Sequence, residues 1–398
     1  MILVVQELGK HVENVKSWNP QQASSNEMFS YIDLSSIDKD KKVIDLTQIQ
    51  RIVSVNAPSR ARQIVKKSDI LVSTVRPNLN GVAFVPDDLD NATASTGYCV
   101  LRANEKTLSA QYLFHWVQSN SFINEMVSKA TGANYPAVSD KIIKQSKIPL
   151  PPLAEQQKIA AILDAADSLR QKDQQLVERY TALSQSLFLE MFGDPETNSK
   201  RMDEKPFSEV LNLITYGLTV RPEYIESGIP LISAREIRTG KINFETAPKI
   251  SKFDFEKLSD KAKPTNNDIL FSKTGSIGHC ALVQTKLDFA ISQNAARLSF
   301  NNTVKPVYAL NYLKTTYIQQ LSQSRAKGNA VKDLQLGDMK KFKFIVPPIT
   351  LQNQFTEIIQ LIEAQKQQAQ LSLAKSEALF NSLLQRAFTG ELTAKMAA

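Results

Sequence analysis

Histidine and cysteine are scarce in this chain, three and two among 398 residues. His11, His115, His279, Cys99 and Cys280 are not clustered, which excludes the usual zinc-binding sets. The cysteines read as small buried thiols in a reducing cytoplasm. No apolar run approaches the ~18–20 residues of a membrane span, and residues 1–14 lack the basic start and long apolar stretch of a signal peptide. Glycine is also sparse, at 13 residues, and no glycine-rich turn after a strand resembles a cofactor loop. Lys273–Gly278 (KTGSIG) lacks the Gly-Lys-Ser/Thr ending of a phosphate cradle.

Catalytic signatures of DNA-modifying enzymes are missing too. An adenine methyltransferase clamps its target amino group with Asn or Asp followed by Pro-Pro and an aromatic residue. Here both Pro-Pro pairs follow aliphatic residues, Leu150 and Val346, and the Asn-Pro at 19–20 runs on into Gln-Gln. Pro86-Asp87 is not followed by the acidic-x-Lys triplet of a metal-dependent nuclease. The sequence therefore points to binding rather than catalysis.

What is present is long-range order. Residues 151–194 predict one helix: Pro151 and Pro152 stop what precedes it, Ala and Gln favour it, and Gly193-Asp194-Pro195 ends it. Apolar or small residues at Ile159, Ile162, Ala166, Leu169, Leu176, Tyr180, Leu183 and Leu187 make a narrow seam, interrupted by Asp173. Such a seam pairs one helix with another. At ~1.5 Å per residue the rod would be roughly 60 Å long.

Its expected partner is residues 347–390, which align without gaps at an offset of 196: Pro151/Pro347, Gln156/Gln352, Ile162/Ile358, Leu187/Leu383 and Phe192/Phe388. Phe355, Ile358, Ile362, Leu379 and Leu383 form its seam, weakened by Gln365, Ser372 and Ser376. The offset extends to Tyr112/Tyr308 and Gly132/Gly328, then drifts to about 199–200, pairing Ser68–Leu71 (SDIL) with Asn267–Leu270 (NDIL). The chain is a tandem duplication: domain 1–150, helix 151–195, domain 196–346 and helix 347–398.

Each domain reads as α+β: short strands and one main helix, without regular β–α alternation. In the first copy the strands are 29–34, 69–73, 81–85 and 147–150, with a helix over 110–130 facing inward through Tyr112, Leu113, Trp116, Val117, Ile123 and Val127. Asp38–Lys42 is a charge run read as a solvated loop, and His115 as a surface or partly packed side chain. In the second copy strands are expected at 229–233, 269–272, 281–283 and 342–346, with a helix over 307–323.

The net charge of +8 divides unevenly. Lys plus Arg against Asp plus Glu is 17 to 14 in 1–150, 4 to 7 in 151–195, 23 to 15 in 196–346 and 4 to 4 in 347–398. Basic domains on a non-basic frame suit a polyanion met by the domains. Reading base edges needs Arg, Lys, Asn or Gln on loops that reach a groove. After the Asp-Ile-Leu strand the first copy offers Arg76, Asn78 and Asn80, and the second Lys273, Thr274 and His279. Following the short helix come Asn134 and Tyr135 in one copy, Lys327 and Asn329 in the other. Arg60, Arg62, Arg221, Arg235 and Arg238 complete the candidates; for each, a solvated side chain or an ion pair is the competing reading. A fused, diverged pair keeps the frame of a two-fold dimer yet can read two unlike half-sites, with the rods setting their separation.

With these residues in place, the chain resembles the specificity subunit of type I restriction–modification systems over essentially its whole length. The match is carried by the 151–157 motif (PPLAEQQ), the Phe192-Gly193-Asp194 close, and the second helix ending at 388–392 (FTGEL). Leu351 and Asn353 replace the Glu155 and Gln157 of the first motif, so any contacts these positions make differ between copies. The resemblance implies two similar β-rich target-recognition domains separated by two long antiparallel coiled-coil helices, and no catalytic activity in this chain. It also implies two adenine-N6-methylating modification subunits as partners on double-stranded DNA, and ATP-driven restriction subunits joining through the complex. S-adenosylmethionine, Mg²⁺ and ATP would belong to those partners, with no cofactor or metal held here. One rival reading remains, a coiled-coil adaptor whose basic domains bind an acidic protein; a methylating reader fused in one chain fails for lack of the clamp motif.

Overall fold

The computed structural model describes residues 4–23, 26–220 and 222–394. It divides into two compact units, Met1–Gln175 with Ala369–Ala398, and Leu176–Gln368. Each unit therefore owns one domain, part of one long helix and part of the other.

In the first unit, Val5–Glu7 pairs antiparallel with Lys147–Pro149, bringing the start of the domain to its end. An antiparallel sheet orders Val12–Glu13, Tyr98–Ala103, Ile70–Ser73 and Val82–Phe84. A second sheet orders Gln50–Val53, Met28–Ile32, Thr93–Ser95 and Ala61–Ile64, with Met28–Ile32 and Thr93–Ser95 parallel. The second unit repeats the plan. Leu211–Tyr216, Ala295–Phe300, Ile269–Ser272 and Cys280–Leu282 form one sheet, Lys249–Ile250, Ile229–Ile232 and Ala290–Ile291 another, and Asp203–Pro206 pairs with Lys343–Val346. As in the first unit, the sheet without the Asp-Ile-Leu strand contains a parallel pair, here Ile229–Ile232 with Ala290–Ile291.

The Asp-Ile-Leu segments are now explained. Asp69 is buried and accepts from Arg102 Nε and Nη2 at 2.8 and 2.7 Å, while its Oδ2 also takes the Lys66 N–H. Asp268 is paired with Arg297 at 2.7 Å and accepts the Thr265 N–H at 2.6 Å. A buried carboxylate needs such a partner, so this recurring motif is a fastening inside each domain.

The helix expected over 110–130 is two, Ala110–Trp116 and Asn120–Lys129. Ser119 restarts it, its hydroxyl accepting the Phe122 N–H as an N-cap. The second helix consequently buries Phe122 and Met126, leaves Val127 exposed and Ile123 half-buried. The duplicate breaks at the same place, into Pro306–Leu313 and Thr316–Arg325. Both cysteines are free and buried; desolvation pushes the Cys280 thiol up to about 11. His115 is buried rather than superficial, with Nε2 2.7 Å from Asp164.

The two long helices run Leu153–Phe192 and Ile349–Ala387. They pack antiparallel. In the first unit Ile159, Leu163 and Ala166 share a core with Phe380, Leu384 and Ala387; in the second, Phe188 and Phe192 share one with Phe355, Ile359 and Ile362. The seam differs from expectation at five of its thirteen positions. Ile159, Ala166, Phe355 and Ile362 are buried, and Ile162, Tyr180, Leu187 and Leu383 are partly buried. Leu169, Leu176, Leu183, Ile358 and Leu379 are exposed. From Ile159, the buried row steps four residues and then three, through Leu163, Ala166 and Asp173, where steps of three and then four were expected. Both rows carry aliphatic side chains, as at Ile162 beside Leu163, so periodicity alone did not choose between them. Asp173 lies in the seam and accepts from the Ser372 hydroxyl at 3.1 Å.

Each long helix is fastened to its domain by one glutamine. Gln156 Oε1 accepts the Ser109 N–H (2.9 Å), and its Nε2 donates to the Thr107 and Pro151 carbonyls (3.0 and 2.9 Å). Gln352 repeats every bond at the equivalent positions, Lys305 N–H, Thr303 O and Pro347 O. Neither side chain is exposed at all. Tyr112 and Tyr308 likewise donate to equivalent carbonyls, Pro149 and Ile345.

Candidate nucleic-acid interface

In each unit the loop after the Asp-Ile-Leu strand meets the loop after the short helices. In the first, residues 131–137 close into a hairpin, Thr131 and Ala137 exchanging N–H···O bonds of 3.0 and 2.9 Å. Gly132, at φ +107, makes that turn possible. The hairpin then docks along residues 74–76: Val138 N–H donates to Thr74 O and Arg76 N–H to Pro136 O. Arg76 and Asn80 both adopt left-handed backbone, at φ 51 and 45, a conformation uncommon for such residues and held here by surrounding bonds.

The second unit reproduces this scaffold bond for bond. Lys327 and Asp333 exchange N–H···O bonds across Gly328 (φ +115), Leu334 N–H donates to Lys273 O, and Gly275 N–H to Lys332 O. The side chains on it are different. Where the first unit has Arg76 over the Tyr135 ring, 4.7 Å from its centroid, the second has Gly275 and Val331. Tyr135 is 68 % exposed, a free aromatic face beside a cation, suited to stacking and phosphate contact.

The sequence candidates divide accordingly. Arg76, Asn78, Asn134 and Tyr135 come together, exposed, on the first unit's loop pair. Asn80 joins them half-buried, its carbonyl accepting from Lys42 Nζ at 2.6 Å. Lys42 was missed because its charge run read as a solvated loop; it is half-buried here. Arg60 is exposed, and its carbonyl accepts from Thr96, the neighbour of the Gly97 that receives Thr74. Arg62 spends its Nε on Ser59 O at 2.8 Å.

Lys327 and Asn329 are exposed on the second unit's hairpin, and Lys327 Nζ lies 3.5 Å from Asp338. Lys273 is a correction: it is buried, with Nζ 2.5 Å from Asp333, at the position that Thr74 fills in the first unit. Thr274 is spent likewise, its hydroxyl bonded to Asp333. Burial pushes the Asp333 carboxyl up, but its bonds to Lys273 and Thr274 outweigh that and hold it below the usual value. These two residues fasten the loops together. Arg235 and Arg238 are exposed on a turn whose core is Glu236, accepting from Ser233 N–H and Oγ. His279 is half-buried near Arg238; desolvation first, then that guanidinium, lowers its pKa. Arg221 lies outside the described residues.

Two copies of one backbone scaffold, each presenting basic and amide side chains on paired loops and the first adding the aromatic Tyr135, define a duplicated polymer-reading protein. The comparisons name the polymer. The family model for the type I restriction modification DNA specificity domain matches twice, at residues 23–179 and 204–372. The chain belongs to that family, whose role is DNA recognition. It is 26 % identical over 329 residues to the EcoBI specificity subunit of Escherichia coli, covering 75 % of this chain and 69 % of that one. To the EcoKI specificity subunit of E. coli strain K12 it is 23 % identical over 322 residues, with the same coverage. Its fold is similar to a chain from a structural study of type I R-M complex assembly (TM-score 0.59, 23 % identity, 98 % of both chains). The S subunit of a type I system from M. genitalium is also similar (TM-score 0.56, 16 % identity, 97 % of this chain and 96 % of that). Among the described residues no helix is long and apolar enough to cross a membrane.

Proposed function

We propose that this chain reads an asymmetric, bipartite DNA target, one unit per half-site, and hands it to modification and restriction subunits docked on it in the cytoplasm. The observation that carries the reading is the shared loop scaffold with exchanged side chains, Arg76 and Tyr135 in one unit against Gly275 and Val331 in the other. Identical backbone frames dock alike on a duplex; unlike side chains then read unlike bases. The long helices fix the spacing between the half-sites. Exposed leucines on those helices, Leu169 in one unit and Leu176, Leu183 and Leu361 in the other, are apolar surface available to two adenine-N6 methyltransferase subunits. S-adenosylmethionine, Mg²⁺ and ATP are bound by those partners.

The test is DNA binding by the assembled complex. Affinity for target DNA should fall steeply with salt, as phosphate contacts release counterions, and Arg76→Ala should weaken it about tenfold while relaxing preference within one half-site only. A flat salt response would favour an adaptor for an acidic protein, and an Arg76→Ala effect on both half-sites would contradict one unit per half.

A further inference from the structure

The second unit contains a cleft of about 470 Å³ beside the last turns of the first long helix. Ser184 and Phe188 form one wall, Asn311 and Tyr317 another, and Glu363 and Lys366 stand at its edge. The duplication shows what such a cleft accommodates. By the 196-residue offset, Ser184 corresponds to Phe380, Asn311 to His115, Glu363 to Asp167 and Lys366 to Arg170. That register is secured by the Gln156/Gln352 bonds and by Phe388 packing on Tyr112 (5.2 Å between centroids) as Phe192 packs on Tyr308 (4.7 Å).

In the first unit the position is filled from within. Phe380 is buried, its ring 6.2 Å from the His115 imidazole and 5.4 Å beneath the Arg170 guanidinium, which Asp167 holds at 2.6 Å. The second unit keeps the acid–base pair of this cage but carries a serine where the ring would be attached. Among the described residues Lys366 and Glu363 make no ion pair.

We infer that this cleft is a receptor for one aromatic side chain supplied by the modification subunit that docks on the second unit. Phe380 is the template: a ring against an apolar floor, under a cation. On the first unit the same place is occupied by the chain itself, so the two docking sites are inequivalent. The inference rests on the docking proposed above, and goes beyond it by locating an anchor and breaking the equivalence.

The experiment titrates full-length chain with the modification subunit of the same system, resolving the one- and two-subunit complexes by native mass spectrometry. Ser184→Phe should fill the cleft and weaken one binding step about thirtyfold, the loss of an aromatic hot spot, leaving the other step unchanged. Lys366→Glu should weaken the same step less. If Ser184→Phe does not fold, Ser184→Leu fills the same space. Two steps unchanged by filling and by Lys366→Glu would overturn the inference while leaving docking intact; no binding by the unaltered chain would overturn both.

Discussion

Single side chains decide how each unit is held together. Gln156 and Gln352 each satisfy one backbone N–H and two carbonyls where a long helix leaves its domain. Removing such a group strands buried polar atoms, a loss larger than the bonds' net worth. Gln156→Ala should therefore destabilise the first unit by about 2–4 kcal/mol, seen in calorimetry as a lowered transition for one unit; an unchanged trace would contradict the fastening role. His279 gives a pH test. Burial and Arg238 hold its pKa below the ordinary value, so the unfolded chain binds the proton more readily. Its contribution is neutral above a pH of about 6.5 and becomes destabilising as pH falls through that value towards its folded pKa. NMR titration should place His279 below about 6.5; a value at or above it would contradict the burial argument.

At the scale of elements, duplication and helix ends were legible, because Pro-Pro and Gly193 are local signals and a gapless 196-residue offset shows when the sequence is compared with itself. The face of each long helix was half legible: Ile159, Ala166 and Phe355 were right, whereas Leu169, Leu176 and Leu183 belong to the solvent side. Two adjacent aliphatic rows leave that choice to tertiary packing. The same holds for Lys273, which looks like a free loop cation until Asp333, sixty residues on, is seen to hold it. Sequence could not bring those two together, nor reveal that Ser119 divides one helix into two. The corrected seam makes a paired prediction. Leu163→Ala should cost about 2–5 kcal/mol, while Leu169→Ala stays within about 0.5 kcal/mol, both by denaturant titration. Equal effects would return the seam to its expected face.

At the scale of the whole molecule, the duplicate copies have kept their fastenings and exchanged their reading side chains. Asp69 and Asp268 are equivalent and each holds an arginine, Arg102 and Arg297, from strand positions two residues apart in register, and the hairpin bonds around Gly132 and Gly328 are equivalent. Arg76 and Tyr135 have no equivalent. Conserving the frame while varying what it carries is how one fold can serve two unlike half-sites, and the family model matching twice agrees with that history. The most direct measurement is methylome sequencing of a host carrying this chain with residues 1–146 replaced by the first domain of another family member. The account predicts a methylated motif altered in one half, with the other half and the spacer retained. A motif altered in both halves would contradict it.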